Sequence, residues 1–216
     1  MNYQGIAIER PNHDTVILKG PKTVVIDPFK VGRIPDVDLV LLTHDHFDHF
    51  SLDDLAKIID PSRTAVVAPE SMKDKLADLK VHDKEFMHAG NQKVVSNIVV
   101  RAVPAYNRNK FREPGKPFHP KEAGYLGYIV NLQDIRFYHT GDTDFIDEMK
   151  ALGPIDVMFV PVSGTYVMTV DEAVDAVKAV KPKLAIPMHY GAIVGDRSQA
   201  DEFKEKIGDF CQVEIL

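Results

Sequence analysis

A single cysteine in 216 residues excludes an internal disulfide and removes thiolate as the basis of any metal site. The segment Met1 to Arg10 has neither the basic start nor the long apolar run of a secretory signal, so the expected setting is a reduced, cytoplasmic one. Nowhere does the chain approach the roughly 18 consecutive apolar residues of a membrane span. Basic residues are in deficit: 26 Lys and Arg stand against 32 Asp and Glu, a net charge of -6, which argues against nucleic acid as a partner by bulk charge. Histidine, by contrast, is plentiful. Nine histidines beside one cysteine mean that a bound metal would be held by nitrogen and oxygen.

With 44% hydrophobic and 27% charged residues the composition is that of a globular chain. At this length about 70% of the unfolded surface can be buried. Short β-like runs at Ile6 to Glu9, Thr15 to Lys19 and Thr23 to Ile26 are separated by turn signals, and Asp38 to Leu42 reads as a strand buried on both faces. Ser51 caps a helix with Leu52, Leu55, Ile58 and Ile59 on one face. Strand Thr64 to Ala68, an amphipathic helix from Pro69 to Leu79 and β structure from Lys93 to Val103 follow. The second half is expected to contain strands Tyr125 to Asn131, Ile135 to His139, Val157 to Pro161, Leu184 to Met188 and Gln212 to Ile215. Helices are expected at Asp144 to Leu152, Asp171 to Val180 and Gln199 to Ile207. No linker divides the halves, so residues 1–216 read as one α/β domain with two sheets face to face and helices outside.

Thr43-His44-Asp45-His46-Phe47-Asp48-His49 places three histidines and two carboxylates within seven residues, between a buried strand and a capped helix. Imidazole and carboxylate together suit zinc, iron, nickel or manganese. Tyr138-His139-Thr140-Gly141-Asp142 and Pro187-Met188-His189-Tyr190 also follow strands, and open α/β sheets build their sites at strand carboxyl ends. Taken alone, Asp142 is as good a helix cap as a ligand, and a lone His189 is more often a core residue.

The series His44-x-His46-x-Asp48-His49, Asp27 after an early strand, Gly141-Asp142 and Pro187-x-His189 resembles the motifs of the metallo-β-lactamase superfamily. The likeness extends from about Asn2 to Val213. In detail it is similar to a branch related to ascorbate-6-phosphate lactonase and to the phospholipase D acting on N-acyl phosphatidylethanolamine. The resemblance implies a four-layer αββα sandwich and a site for one or two divalent ions, zinc first, with Mn2+, Ni2+ or Fe2+ as alternatives. It implies His44 and His46 on one ion, Asp48, His49 and His189 on the other, and Asp142 between them. Asp27 would order the His-rich turn by hydrogen bonds, and His139 would act likewise on a neighbouring ligand. Asp48 and Asp142 would also fix a metal-activated hydroxide. One family histidine is missing: related sequences read Pro-Ala-x-His where this chain reads Pro104-Ala105-Tyr106-Asn107. Either Asn107 leaves the first site weak, or His119 replaces the missing ligand, and the adopted reading counts His119 as a ligand with Asn107 beside it. His13, His82 and His88 lie outside the motifs and read as surface residues.

The loop from Asn107 to Lys121 carries Arg108, Lys110, Arg112, Lys116 and Lys121 against Glu113, a net of +4 in an acidic chain. Such a concentration attracts anions. Arg108, Lys110, Arg112 and Tyr190 are therefore the expected substrate contacts, and the expected activity is hydrolysis of a small anionic ester, lactone or phosphodiester. The competing reading, motivated by Asn107, is a metal-binding or sensor module of weakened catalysis. The sequence leaves the oligomeric state open.

Overall fold

The computed structural model describes residues 1–216. Strands β1 (Asn2–Tyr3), β2 (Ile6–Glu9), β3 (Val16–Lys19), β4 (Thr23–Ile26), β5 (Val37–Leu41), β6 (Ala65–Pro69) and β7 (Asp83–Met87) form one sheet in sequential order. Tight turns make β1 to β4 antiparallel, whereas β4 to β7 are parallel and need longer crossovers. The second sheet contains β8 (Gln92–Val95) and β9 (Ile98–Pro104). After a small hairpin of β10 (Phe111–Glu113) and β11 (Lys116–Pro117), it continues with β12 (Leu126–Leu132), β13 (Ile135–His139), β14 (Val157–Pro161), β15 (Leu184–Met188) and β16 (Gln212–Val213). Its order is β16-β15-β14-β13-β12-β9-β8.

Alternation across the central strands explains the layering. In β5, Leu39 and Leu41 enter the apolar layer between the sheets, whereas Val37 and Val40 face outward onto Leu55 and Ile58 of α1 (Leu52–Ile58). In β14, Val157 and Phe159 face inward while Met158 and Val160 pack against α2 (Val170–Val180) and α3 (Arg197–Ile207). Both sheets are thus buried on two faces, which gives the α/β sandwich of four layers. Ser51 Oγ caps α1 by accepting from Asp54 N–H at 3.2 Å, and Thr169 with Glu172 forms a capping box on α2.

Two local expectations need correction, and one strand lay outside them. The segment Pro69 to Leu79 is not an α-helix but a single 3₁₀ turn, Glu70–Met72, followed by further turns. Pro69 offers no side-chain cap, and the Leu76 and Ala77 carbonyls accept from Lys84 Nζ at 2.7 Å each. The helix expected from Asp144 is a 3₁₀ segment, Asp147–Ala151, because Asp144 is engaged by the Asn107 loop: it accepts from Arg108 N–H at 2.6 Å and Asn109 N–H at 2.9 Å. Strand β7, with the polar pattern Asp-Lys-Glu-Phe-Met, shows no alternation and was not foreseen.

The carboxyl ends of β4, β5, β13, β14 and β15 open onto one edge of the sandwich. Antiparallel pairing of β3 with β4, with Val16 opposite Ile26, brings the amino end of β3 to the same edge.

Candidate metal centre

Four of the histidines on this edge share one construction: the Nδ1 side is anchored and Nε2 points inward. His49 Nδ1–H donates to Asp27 Oδ2 at 2.8 Å. Thr43 Oγ1 donates to the same carboxylate at 2.6 Å and therefore accepts from His44 Nδ1 at 2.9 Å. Ser163 Oγ donates to Thr165 O at 3.3 Å and accepts from His189 Nδ1 at 2.9 Å. His119 Nδ1–H donates to Asn107 Oδ1 at 3.0 Å. Fixing one ring nitrogen sets the tautomer and leaves the lone pair of the other free, as imidazole ligands require.

The four Nε2 atoms converge on Asp142. Oδ2 lies 3.2 Å from His189, 3.3 Å from His119 and 3.9 Å from His44, and Oδ1 lies 3.4 Å from His49. Nε2 of His44, His49 and His119 and Oδ1 of Asp142 are buried without hydrogen-bond partners. Buried polar atoms left unpaired in this way are strongly disfavoured, and divalent cations would satisfy them all. His44, His46 and His119 form one group of candidate ligands, and His44, His49 and Asp142 another.

Asn107 and His119 thus divide two roles between them. Asn107 also accepts the His119 backbone N–H at 2.8 Å and donates through Nδ2 to Asp144 Oδ1 at 3.2 Å and Tyr166 O at 2.8 Å, so its amide orients the imidazole. His139 is enclosed, with Nδ1 accepting from Gly141 N–H at 3.2 Å and Nε2 donating to Asp14 O at 2.8 Å. Asp27 holds the His-rich turn by accepting from Thr43 N–H at 2.7 Å as well.

His13 was expected at the surface and is instead fully buried at this edge. Its Nε2 lies 3.2 Å from Asp48 Oδ2, and its ring centroid 4.2 Å from that of His189. Asp14 beside it is also fully buried. Both precede β3, and only the antiparallel pairing with β4 places them here. A period-two strand preceded by His-Asp was the available signal. His82 and His88 are exposed.

Three residues of this edge have a strained backbone. His13, Asp27 and His189 adopt φ of 43°, 46° and 60°, in the left-handed region that non-glycine residues avoid. Gly141 has φ 64°, and a Cβ there would come 2.8 Å from Leu126 O, so only glycine lets the Asp142 turn approach so closely.

Electrostatics divide the site. Burial, with the neighbouring His49, holds His44 well below the usual imidazole range, and burial with His119 lowers His46. Burial also opposes the charge of His49, but Asp142 and Asp27 outweigh it and raise His49 well above that range. His189 is pushed up to about 9, again against burial, by Asp142 and Asp14. Asp142 is held well below the carboxylate range because His189 and His49 outweigh its desolvation.

A cavity of about 830 Å³ opens over the centre. Asp48, His119 and Asp142 lie at its floor, Phe47, Phe118, Tyr166 and Ile193 form apolar wall, and Arg112 contributes the cation. The basic loop is less available than its composition suggested. Lys110 lies 2.7 Å from Glu172 and 3.3 Å from Asp144, Lys121 pairs with Glu148 at 3.0 Å, and Lys116 with Glu113 at 2.7 Å. Arg108 turns to Phe145 O at 3.4 Å. Acidic groups on other elements supply the neutralising charge, so of Arg108, Lys110 and Arg112 only Arg112 lines the cavity. Tyr190 lies away from it, its hydroxyl donating to Leu216 O at 3.2 Å under the Arg10 guanidinium.

Comparison with known proteins identifies the family. The family model described as Beta-lactamase superfamily domain matches residues 12–189, an interval that includes each candidate ligand. The chain is 34% identical over 219 residues to the UPF0173 metal-dependent hydrolase of Pyrococcus horikoshii, covering 94% of this chain and 93% of the relative. Identity to the corresponding protein of Archaeoglobus fulgidus is 32%, over 90% of this chain and 87% of that one. A crystal structure from Parabacteroides distasonis, assigned as a metal-dependent hydrolase, superposes with a TM-score of 0.81 at 29% identity, covering 97% of this chain and 92% of the other. The structure of Igni18, a metallo hydrolase from Ignicoccus hospitalis, shares the fold with a TM-score of 0.76 at 20% identity over 98% of this chain and 94% of that one. The buried His/Asp cluster and these matches together place the chain in the metallo-β-lactamase superfamily, within the UPF0173 family of metal-dependent hydrolases.

Proposed function

We propose that the centre holds two divalent ions and hydrolyses a small anionic ester, lactone or phosphodiester in the cytoplasm. The observation that carries this reading is the set of anchored imidazoles whose free Nε2 atoms surround Asp142. His44, His46 and His119 would hold the first ion, for which three imidazoles favour zinc. Asp48, His49 and His189 would hold the second, and Asp142 would serve both. Bound ions of this kind lower the pKa of coordinated water toward 7 and polarise a substrate oxygen. Asp48 and Asp142, at the floor of the cavity, orient the attacking water, and the half-buried Phe118 beside the exposed Tyr166 limits access of bulk solvent.

Substrate selection falls to Arg112 and the apolar wall. The guanidinium stands 5.4 Å over the Phe118 ring, leaving its donors for a phosphate or carboxylate. A substrate that is anionic at one end and apolar at the other fits this pairing. His119, whose ring nitrogen lies with those of His44 and His46, supports the enzyme over a module of weakened catalysis. The test is turnover of bis-p-nitrophenyl phosphate and of a lactone and ester panel by the zinc- or manganese-loaded protein. Chelator-sensitive hydrolysis of an anionic member supports the reading, and full metal occupancy with no turnover across the panel refutes it.

A further inference from the structure

Asp14 is unexplained by the ligand set above. It is fully enclosed, and neither carboxylate oxygen has a hydrogen-bond partner. A carboxylate in that condition is strongly disfavoured unless a cation meets it. Its Oδ2 lies 3.9 Å from His49 Nε2, and the ligand atoms of His13, Asp14, His49 and His189 all lie within 4.8 Å of one another.

The turn that carries Asp14 is fixed from several directions. Its carbonyl accepts from His139 Nε2 at 2.8 Å, and the other nitrogen of that ring accepts from Gly141 N–H, which ties Asp14 to the turn presenting Asp142. The nearby cation does not neutralise it: Arg10 donates to His13 O and Leu216 O, at 2.9 Å each. His49 and His189 have their Nδ1 sides anchored and so present Nε2 to the same space.

We propose that Asp14 is a fifth ligand of the second ion, beside Asp48, His49, Asp142 and His189, with His13 positioning Asp48. This rests on the two-ion reading above. Three carboxylates and two imidazoles make an oxygen-rich set that suits a six-coordinate Mn2+ or Fe2+ with one position left for water, whereas Zn2+ prefers fewer ligands. The two halves of the centre would then prefer different metals.

The test is titration of the metal-free full-length protein with Mn2+, followed by the electron paramagnetic resonance of the free ion, and with Zn2+ against a chelating dye. The wild type should take up one Mn2+ that Asp14→Asn binds at least about tenfold more weakly, while zinc binding at His44, His46 and His119 is unchanged. Mn2+ should raise the melting temperature of the wild type more than that of Asp14→Asn; a purely structural Asp14 requires the same Mn2+-induced rise in both. Should the variant not fold, wild-type crystals soaked in Mn2+ and measured at its absorption edge decide: an Asp14 oxygen about 2.2 Å from the ion supports the proposal, and an ion clear of Asp14 overturns it. Unchanged Mn2+ affinity in a folded Asp14→Asn overturns the role of Asp14 and leaves the two-ion reading intact. A wild type that takes up no second ion of either metal overturns both, and the stoichiometry tells the cases apart.

Discussion

The two halves of the centre are built on opposite terms. On one side His44, His46 and the loop residue His119 present three imidazoles, with His46 partly open to the cavity. On the other, Asp48 with the enclosed Asp14 packs about His49 and His189, every one of them buried. Burial lowers His44 and His46, which favours their neutral imidazoles on the first side. The carboxylates raise His49 and His189, so the second side keeps protons until a cation replaces them. Burial by itself removes charge from an imidazole; burial beside carboxylates demands it.

The sharpest break should come at the residue the halves share. Asp142→Ala removes the group that faces imidazoles from both sides; it should leave less than one ion per chain by elemental analysis and lower turnover roughly a thousandfold or more, consistent with losing several kcal/mol of transition-state stabilisation. Asp27→Ala tests the frame behind both sides, since that carboxylate accepts from Thr43 and His49. Loss of these buried bonds should cost about 2–4 kcal/mol in denaturant unfolding and about 10- to 100-fold in metal affinity. Asn107→Ala should act on one side alone. It frees His119, and competition titration should show the first ion weakened about 10- to 100-fold with the second unchanged.

Proton counting separates the halves without mutation. Protons held by His49 and His189 must leave as the second ion binds, so its apparent affinity should rise with pH through the His189 range near 9. The first ion should show little dependence above pH 7. Calorimetry at pH 7 in buffers of different ionisation enthalpy reads this directly, and equal proton release for both ions would contradict the division. The smallest effect is expected at the rim: Arg112→Ala should raise KM for anionic substrates about tenfold, by loss of a charge-assisted contact, while kcat and neutral esters are unaffected.

The sandwich and much of the centre, on both of its sides, are legible in the sequence for a common reason. Buried strands write apolar runs, and their carboxyl ends write His44, Asp142 and His189 directly after them. His119 was harder, because only the placement of Asn107 decides which of the two residues faces His44. His13 and Asp14 left only a faint signal, a strand preceded by His-Asp, since they stand at the amino end of that strand and reach the site only through the antiparallel β3–β4 pairing. The basic loop misled because its countercharges, Asp144, Glu148 and Glu172, belong to distant segments. The helix expected at Pro69 failed on capping, a local detail that apolar spacing does not report.

If two ions sit on two separable halves around Asp142, each can be removed without the other. Metal content per chain, measured by native mass spectrometry on reloaded wild type, His119→Ala and His189→Ala, tests it most directly. The account predicts two ions in the wild type and one in each variant. One ion in the wild type, or loss of all metal on removing either histidine, would contradict it.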